Sequence, residues 1–299
     1  METINSKEIA LDYAIRDIEV NGDTSRYGYK TKDGINRENY MSKETWESFL
    51  KKMTKLHRAQ FNDADGGELE EKRYGICPPK MASYGSSSRM IYNYSHMVAG
   101  FEFEKQLPTR VGHTANLDGY LFKDDKDIYV EAKCREIYSS HKGSKINNVY
   151  KKVYDFIKER YKDFNYIDTK QPCKEGYFKC TFKYDDKEIA HFDIKQLICH
   201  FLGISASILE GKQNRSVKFI YLIYNPELVK DCLCEEYKEN VLKTYKETTA
   251  EIESFGDMCW LFDAVMDFQK KNLGLSLDVK PSFEFKLADQ NNYKEELGF

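Results

Sequence analysis

The chain has 299 residues, 41% hydrophobic and 14% aromatic, which is enough apolar material for a sizeable core and too much for a disordered polymer. Lys and Arg number 46 against 49 Asp and Glu, so the net charge of −3 excludes a uniformly basic nucleic-acid coat while allowing a local positive groove. No run approaches the length of a membrane span, and residues 1–20 carry charges where a secretory leader would be apolar, so a cytoplasmic protein is expected.

Residues 1–40 are polar and weakly patterned, with turn-prone pairs at Asn21-Gly22 and Asp33-Gly34, and suggest no role. Over 42–61, Trp46, Phe49, Leu50, Met53 and Leu56 fall at helical spacing behind a Ser42 cap, predicting one accessory helix that ends at Asp65-Gly66-Gly67. The sequence PPKMASYGSSSR then leads into a helix with an apolar stripe at Met90, Ile91, Tyr94, Met97 and Val98, closed by Gly100. One serine should cap it, and Arg89 beside that hydroxyl-rich start is a candidate phosphate contact. Residues 101–108 alternate as a strand, with Phe101, Phe103, Lys105 and Leu107 on one side and Glu102, Glu104 and Gln106 on the other.

The next stretch, LDGYLFKDDKDIYVEAKCREI over 117–137, reads as a hairpin turning at KDDKD. Strand alternation puts Glu131 and Lys133 on the same side, and a normal register brings Asp118 beside them. Charges converging on a sheet are rarely buried unless paired or bound to a metal, so these three residues suggest a Mg²⁺-dependent phosphodiesterase site. The Glu-x-Lys triplet alone is weak, since Glu70-Glu71-Lys72, Glu236-Tyr237-Lys238 and Glu284-Phe285-Lys286 repeat it. Only Glu131-Ala132-Lys133 follows an apolar strand start with an acidic residue upstream across a hairpin.

Beyond the hairpin, residues 133–162 hold nine Lys and Arg against three acids. Ile146, Val149, Val153, Phe156 and Ile157 predict a helical stripe that leaves Lys145, Lys151, Lys152 and Lys158 on other faces, either as a nucleic-acid-binding surface or as an ordinary solvated face. Residues 170–192 are β-prone. Asp193 and Gln196 fit a capping box before a helix with Ile194, Leu197, Ile198 and Phe201 buried and Gly203 at its end. Residues 217–224, VKFIYLIY, form a continuous apolar run expected as a central strand flanking 127–135. Residues 227–250 are charged and amphipathic. Met258, Leu261, Phe262, Val265 and Phe268 mark a last helix before Gly274, and a strand is expected near 282–288. Eight cysteines lack paired spacing; a zinc site from Cys173, Cys180, Cys232 and Cys234 would need distant elements to converge, and reduced core thiols are the plainer reading. With no repeat or linker, a single domain over 1–299 is expected, its core at about 80–226 and accessory regions at 1–79 and 227–299.

The order of elements and the Asp118 and Glu131-Ala132-Lys133 motifs resemble the PD-(D/E)XK, or restriction-endonuclease-like, nuclease superfamily, in a bacterial branch. The resemblance implies an α+β core of helix, three antiparallel strands, helix and strand, here 87–99, 101–108, 116–123, 127–135, 193–203 and 217–224. It also implies a hydrolase that cuts phosphodiester bonds in nucleic acid, DNA before RNA. Asp118, Glu131 and the Ala132 carbonyl offer hard oxygen ligands for Mg²⁺ or Mn²⁺, and Lys133 would position water or stabilise phosphate charge. Many members carry a metal-assisting glutamate in the first helix; 87–99 has none, and Glu104 stands as its replacement at the metal. Gln196 would reach the site from the second helix, as a glutamine does in some relatives. The alternative is a catalytically silent nucleic-acid-binding or assembly module, against which retention of all three charged residues argues. Alanine at Asp118, Glu131 or Lys133 is expected to change stability little.

Overall fold

The structure, a computed structural model that describes residues 7–20, 27–64, 67–72, 75–211 and 215–299, is a mixed α/β arrangement of helices and several sheets. The N-terminal stretch without a readable role forms α1 (Lys7–Val20) and a hairpin of β1 (Tyr27–Lys30) and β2 (Asn36–Met41), turning at Asp33-Gly34. Leu11, Ala14 and Ile15 are its buried stripe. Asp12, fully buried, accepts hydrogen bonds from Asn39, Ser83 and Arg135 at 2.8, 3.1 and 2.7 Å, so α1 is tied to the chain two residues beyond Lys133. Asn21-Gly22 and Asp65-Gly66 lie outside the described residues.

The single helix expected over 42–61 is two, α2 (Lys43–Lys52) and α3 (Lys55–Asp63). Met53 is extended, and the Thr54 hydroxyl accepts from the His57 N–H as Ser42 does from Thr45. A second capping residue inside an apolar stripe starts a second helix there. α4 (Ser87–Ser95) is capped by Ser86 and stops short of 99.

The main sheet runs β11–β10–β5–β4–β3. Its strands are β3 (Glu102–Pro108), β4 (Thr114–Lys123), β5 (Lys126–Lys133), β10 (Ser216–Ile223) and β11 (Phe283–Ala288). β3, β4 and β5 are antiparallel, whereas β10 is parallel to both β5 and β11. The β4–β5 turn is two residues, Asp124 and Asp125, at φ +50° and +57°, as a twisted hairpin requires. β10 is the expected central strand, covered along almost its whole length.

A second sheet fills the chain between β5 and α6 (Ile194–Gly211). It comprises β6 (Ser144–Asn147), β7 (Phe164–Asp168), β8 (Tyr177–Tyr184) and the short β9 (Lys187–Glu188), with α5 (Lys151–Arg160) between β6 and β7. The expected helical stripe is therefore split: Ile146 is buried on β6, Val149 is 41% exposed, and Val153 and Ile157 are buried on α5. Gly203 does not end α6. A Cβ there would stand 2.9 Å from the Cβ atoms of Leu107 and Ala115, so glycine lets the helix rest directly on β3 and β4.

α7 (Glu235–Glu253) and α8 (Cys259–Leu273) follow, the latter ended by Gly274 at φ +65°, and α9 (Tyr293–Glu296) closes the chain. Buried apolar side chains from Leu11 to Leu297 form one connected core. Among the described residues no helix is long and apolar enough to cross a membrane. All eight cysteines are free thiols, with only Cys134 and Cys180 buried.

Candidate active site

Regular pairing lapses at one place in the main sheet. The β4–β5 ladder runs up to Gly119 with Val130 and stops there, while β4 continues against β3. The register sets Glu104 opposite Asp118, and continued past Gly119 it sets Asp118 opposite Glu131, yet neither pair belongs to the regular ladder. Where the β4–β5 ladder ends, the Asp118 carboxyl group accepts the Ala132 N–H at 2.6 Å. Three carboxyl groups thus occupy neighbouring positions on three adjacent strands, with Tyr221 of β10 paired to Glu131 on the far side.

Glu104 itself takes φ +53°, a left-handed conformation rare outside glycine and costly for a side chain with a Cβ. That breaks the alternation expected for 101–107. Phe103 stacks on Phe61 of α3 at 5.1 Å between ring centroids, whereas Leu107 lies under α6. Strain of this kind gathers where a side chain must be aimed.

Lys133 and Glu131 are buried, at 9% and 2% exposure. The ammonium donates to Glu131 Oε1 and, at 2.7 Å, to Gln196 Oε1. Asp193 caps α6 by accepting the Gln196 N–H at 3.0 Å, so half of the capping box forms, while the Gln196 carbonyl serves Lys133. One turn further along, His200 brings Nε2 within 2.9 Å of Glu131 Oε2. The two are close without a well-directed hydrogen bond, which leaves Oε2 a buried oxygen lacking a hydrogen-bond partner.

Burial alone would raise the Glu131 pKa, but Lys133 and His200 outweigh it and bring it down to about 2. Burial, then Glu131 and Glu104, push Asp118 well above the usual carboxylate range against the pull of Lys133 and the Ala132 N–H. Glu104 is pushed up to about 8 by burial, then Glu68 and Glu131, with Lys80 and Ser88 opposing. Burial would lower Lys133, yet Glu131, Tyr221 and Asp118 hold it well above its ordinary value. One ionised carboxylate and a fixed ammonium therefore sit beside two carboxyl groups that prefer to keep their protons.

Two residues of this constellation were not foreseen. Glu68, 7% exposed and 3.0 Å from the Lys80 ammonium, reaches it from a polar loop before α4, and no periodicity marks it. His200 is four residues after Gln196 on one helix, a spacing that places both on one face and would have flagged it.

The expected cationic residues divide. Arg89 is only 2% exposed; it donates to Glu19 and to the Tyr84 carbonyl and lies over the Tyr84 ring, so it braces α1 against α4 and is not offered to phosphate. Lys145, Lys151, Lys152 and Lys158 are exposed, though not on one helix, since Lys145 belongs to β6. Lys152 donates to Asn272, Lys158 stands 5.8 Å from the Tyr166 ring centre, and Lys145 lies over Tyr177 at 4.5 Å.

Among the described residues no group of three or more His, Cys, Asp or Glu side chains is arranged to hold a metal ion. Comparison of the chain with family models, curated proteins and solved structures yields no match, so the site is read from its own chemistry.

Proposed function

We propose that this chain is a divalent-metal-dependent nuclease of the PD-(D/E)XK type, a hydrolase of phosphodiester bonds in nucleic acid, with DNA the first substrate to try. The observation that carries the reading is the meeting of Asp118, Glu131 and Lys133 where β4 and β5 part. The sequence of α4, β3, β4, β5, α6 and β10, with β10 parallel to β5, supports it. Eight free thiols fit a reducing, cytoplasmic setting.

The donor set suits Mg²⁺ or Mn²⁺. Asp118, Glu131 and the Ala132 carbonyl would supply hard oxygens, and the crowding of the Asp118 and Glu104 carboxyl groups beside Glu131 would be relieved by a cation. Glu104 neighbours the same cluster and would have to reorient to join the ligands, since the three carboxyl groups are not arranged around one metal position in this structure. A bound metal would polarise a phosphate oxygen and lower the pKa of a coordinated water. Gln196 and Glu131 hold the Lys133 ammonium in place, so it meets developing phosphate charge without first having to order itself. His200 steadies Glu131 from behind.

The test is a cleavage panel over plasmid, linear duplex and single-stranded DNA and RNA, with and without Mn²⁺. Cleavage should need the metal and vanish in Glu131→Ala. Full metal-dependent cleavage by Glu131→Ala, in a preparation freed of contaminating nuclease, would overturn the reading.

A further inference from the structure

Beside the site, between the small sheet and the start of α6, lies a cleft of about 280 Å³. Pockets for drug-sized ligands begin at about 300 Å³, so the cleft is large enough for one small flat ligand and no more. Its walls are aromatic. Tyr150 is held rigid, since its hydroxyl accepts the His113 N–H at 2.8 Å and touches Cys199. The Tyr177 ring is half-buried and has two ammonium groups near its face, Lys145 at 4.5 Å and Lys174 at 5.9 Å. Lys195, which makes no ion pair among the described residues, lines the cleft with Lys145. Flat rings with cations at the rim are the chemistry of a base and its phosphate.

The cleft also shares one residue with the active site. Gln196 lines it and at the same time accepts a hydrogen bond from Lys133, so one side chain separates the rings from the reacting ammonium. Asn147 and Asp193 are also in the lining, each with one side-chain oxygen taken up in capping a helix, by the Val149 N–H and the Gln196 N–H. A base inside a duplex cannot enter such a cleft; it must first leave the stack.

We propose that this cleft takes one unstacked base of the nucleic acid cut at Asp118, Glu131 and Lys133, so that the substrate is unpaired at the point of cleavage. This rests on the nuclease reading above and adds the substrate class to it. An entering base replaces Lys145 on the Tyr177 face, freeing that ammonium for a phosphate.

Binding is measured on the full chain in EDTA, where no cleavage intervenes, by fluorescence anisotropy with labelled single strands of about ten nucleotides, a typical site size for single-strand binders. Deoxy and ribo strands form separate arms, and the tighter arm identifies the sugar. An all-abasic strand of equal length and charge should bind the unaltered protein about ten-fold more weakly, the effect of losing one stacked base, and blunt duplex should also bind more weakly. Tyr177→Ala should lose about as much, and Tyr177→Phe should retain binding. Equal affinity for normal and abasic strands overturns the proposal without needing any variant, as does unchanged binding by a folded Tyr177→Ala protein. Cleavage in Mn²⁺ is scored separately. Cutting that ignores the bases removes the base cleft and leaves the nuclease, whereas base-dependent binding without cutting removes the nuclease and leaves a base-binding cleft.

Discussion

Glu104→Gln should make the metal-free protein more stable, and increasingly so as the pH rises. The Glu104 carboxyl is held at about 8 against an ordinary 4.5, through burial and the nearness of Glu68 and Glu131. Below pH 4.5 it is protonated both folded and unfolded and contributes no pH dependence. Between 4.5 and 8 the unfolded chain ionises while the folded one keeps its proton, so unfolding becomes easier with every pH unit; above 8 the loss is complete. At about 1.4 kcal/mol per unit the full effect is about 5 kcal/mol, and solvent reaching a partly exposed carboxyl reduces it to about 2 kcal/mol. An amide carries no such charge and escapes the loss. For a chain of this length 1 kcal/mol moves Tm by about 2 °C, so the advantage of the variant should widen by about 4 °C from pH 5 to pH 9. Thermal melts followed by far-ultraviolet circular dichroism in EDTA measure it. A gap that stays constant across that range, or a parent protein that gains on the variant with rising pH, refutes the account of a crowded carboxyl cluster.

Lys133→Met should cost about 3 kcal/mol, read as a lower urea midpoint, because it strands the buried Glu131 carboxylate beside Asp118. That departs from the small change the sequence suggests, since the lysine is the counter-charge of a buried acid and not one charge among many at a wet surface. The same variant should bind Mn²⁺ by calorimetry yet fail to cut; unchanged stability would refute the burial argument. Gly203→Ala should lose about 1–3 kcal/mol by overpacking against Leu107 and Ala115, where an unhindered helix glycine would gain from alanine. A higher urea midpoint would mean that α6 does not sit so close to the sheet.

The parts of the fold that were legible are those in which burial and chain period agree. Residues 217–224 are apolar on both sides because β10 lies between two parallel neighbours, and the 117–137 hairpin alternates up to a turn with two left-handed aspartates. Where a local signal competed with the period, the period misled. Thr54 capped a new helix inside a continuous stripe, and Ile146 belonged to a strand whose partner, Phe178 of β8, lies 32 residues on. Gly203 read as a stop because glycine weakens helices, yet here it is needed for the distance between α6 and the sheet.

The candidate site shows the same division at closer range. Asp118, Glu131 and Lys133 were legible because strand alternation and hairpin register are short-range geometry, and two adjacent strands suffice to bring them together. Gln196 was half legible, since the capping box competes for the side chain that Lys133 takes. Glu68 was not legible, because its place depends on how a polar loop brings it near Glu104, and nothing in its neighbours has a period. The misreading of Arg89 has the same origin. A cation after three serines looks like a phosphate contact until α1, from the least patterned stretch of the chain, brings Glu19 to meet it. Charges read along the chain identify the strands that carry the candidate site. Which charges are consumed within the fold depends on partners 70 residues away, as with Arg89 and Glu19, and that is set by packing alone.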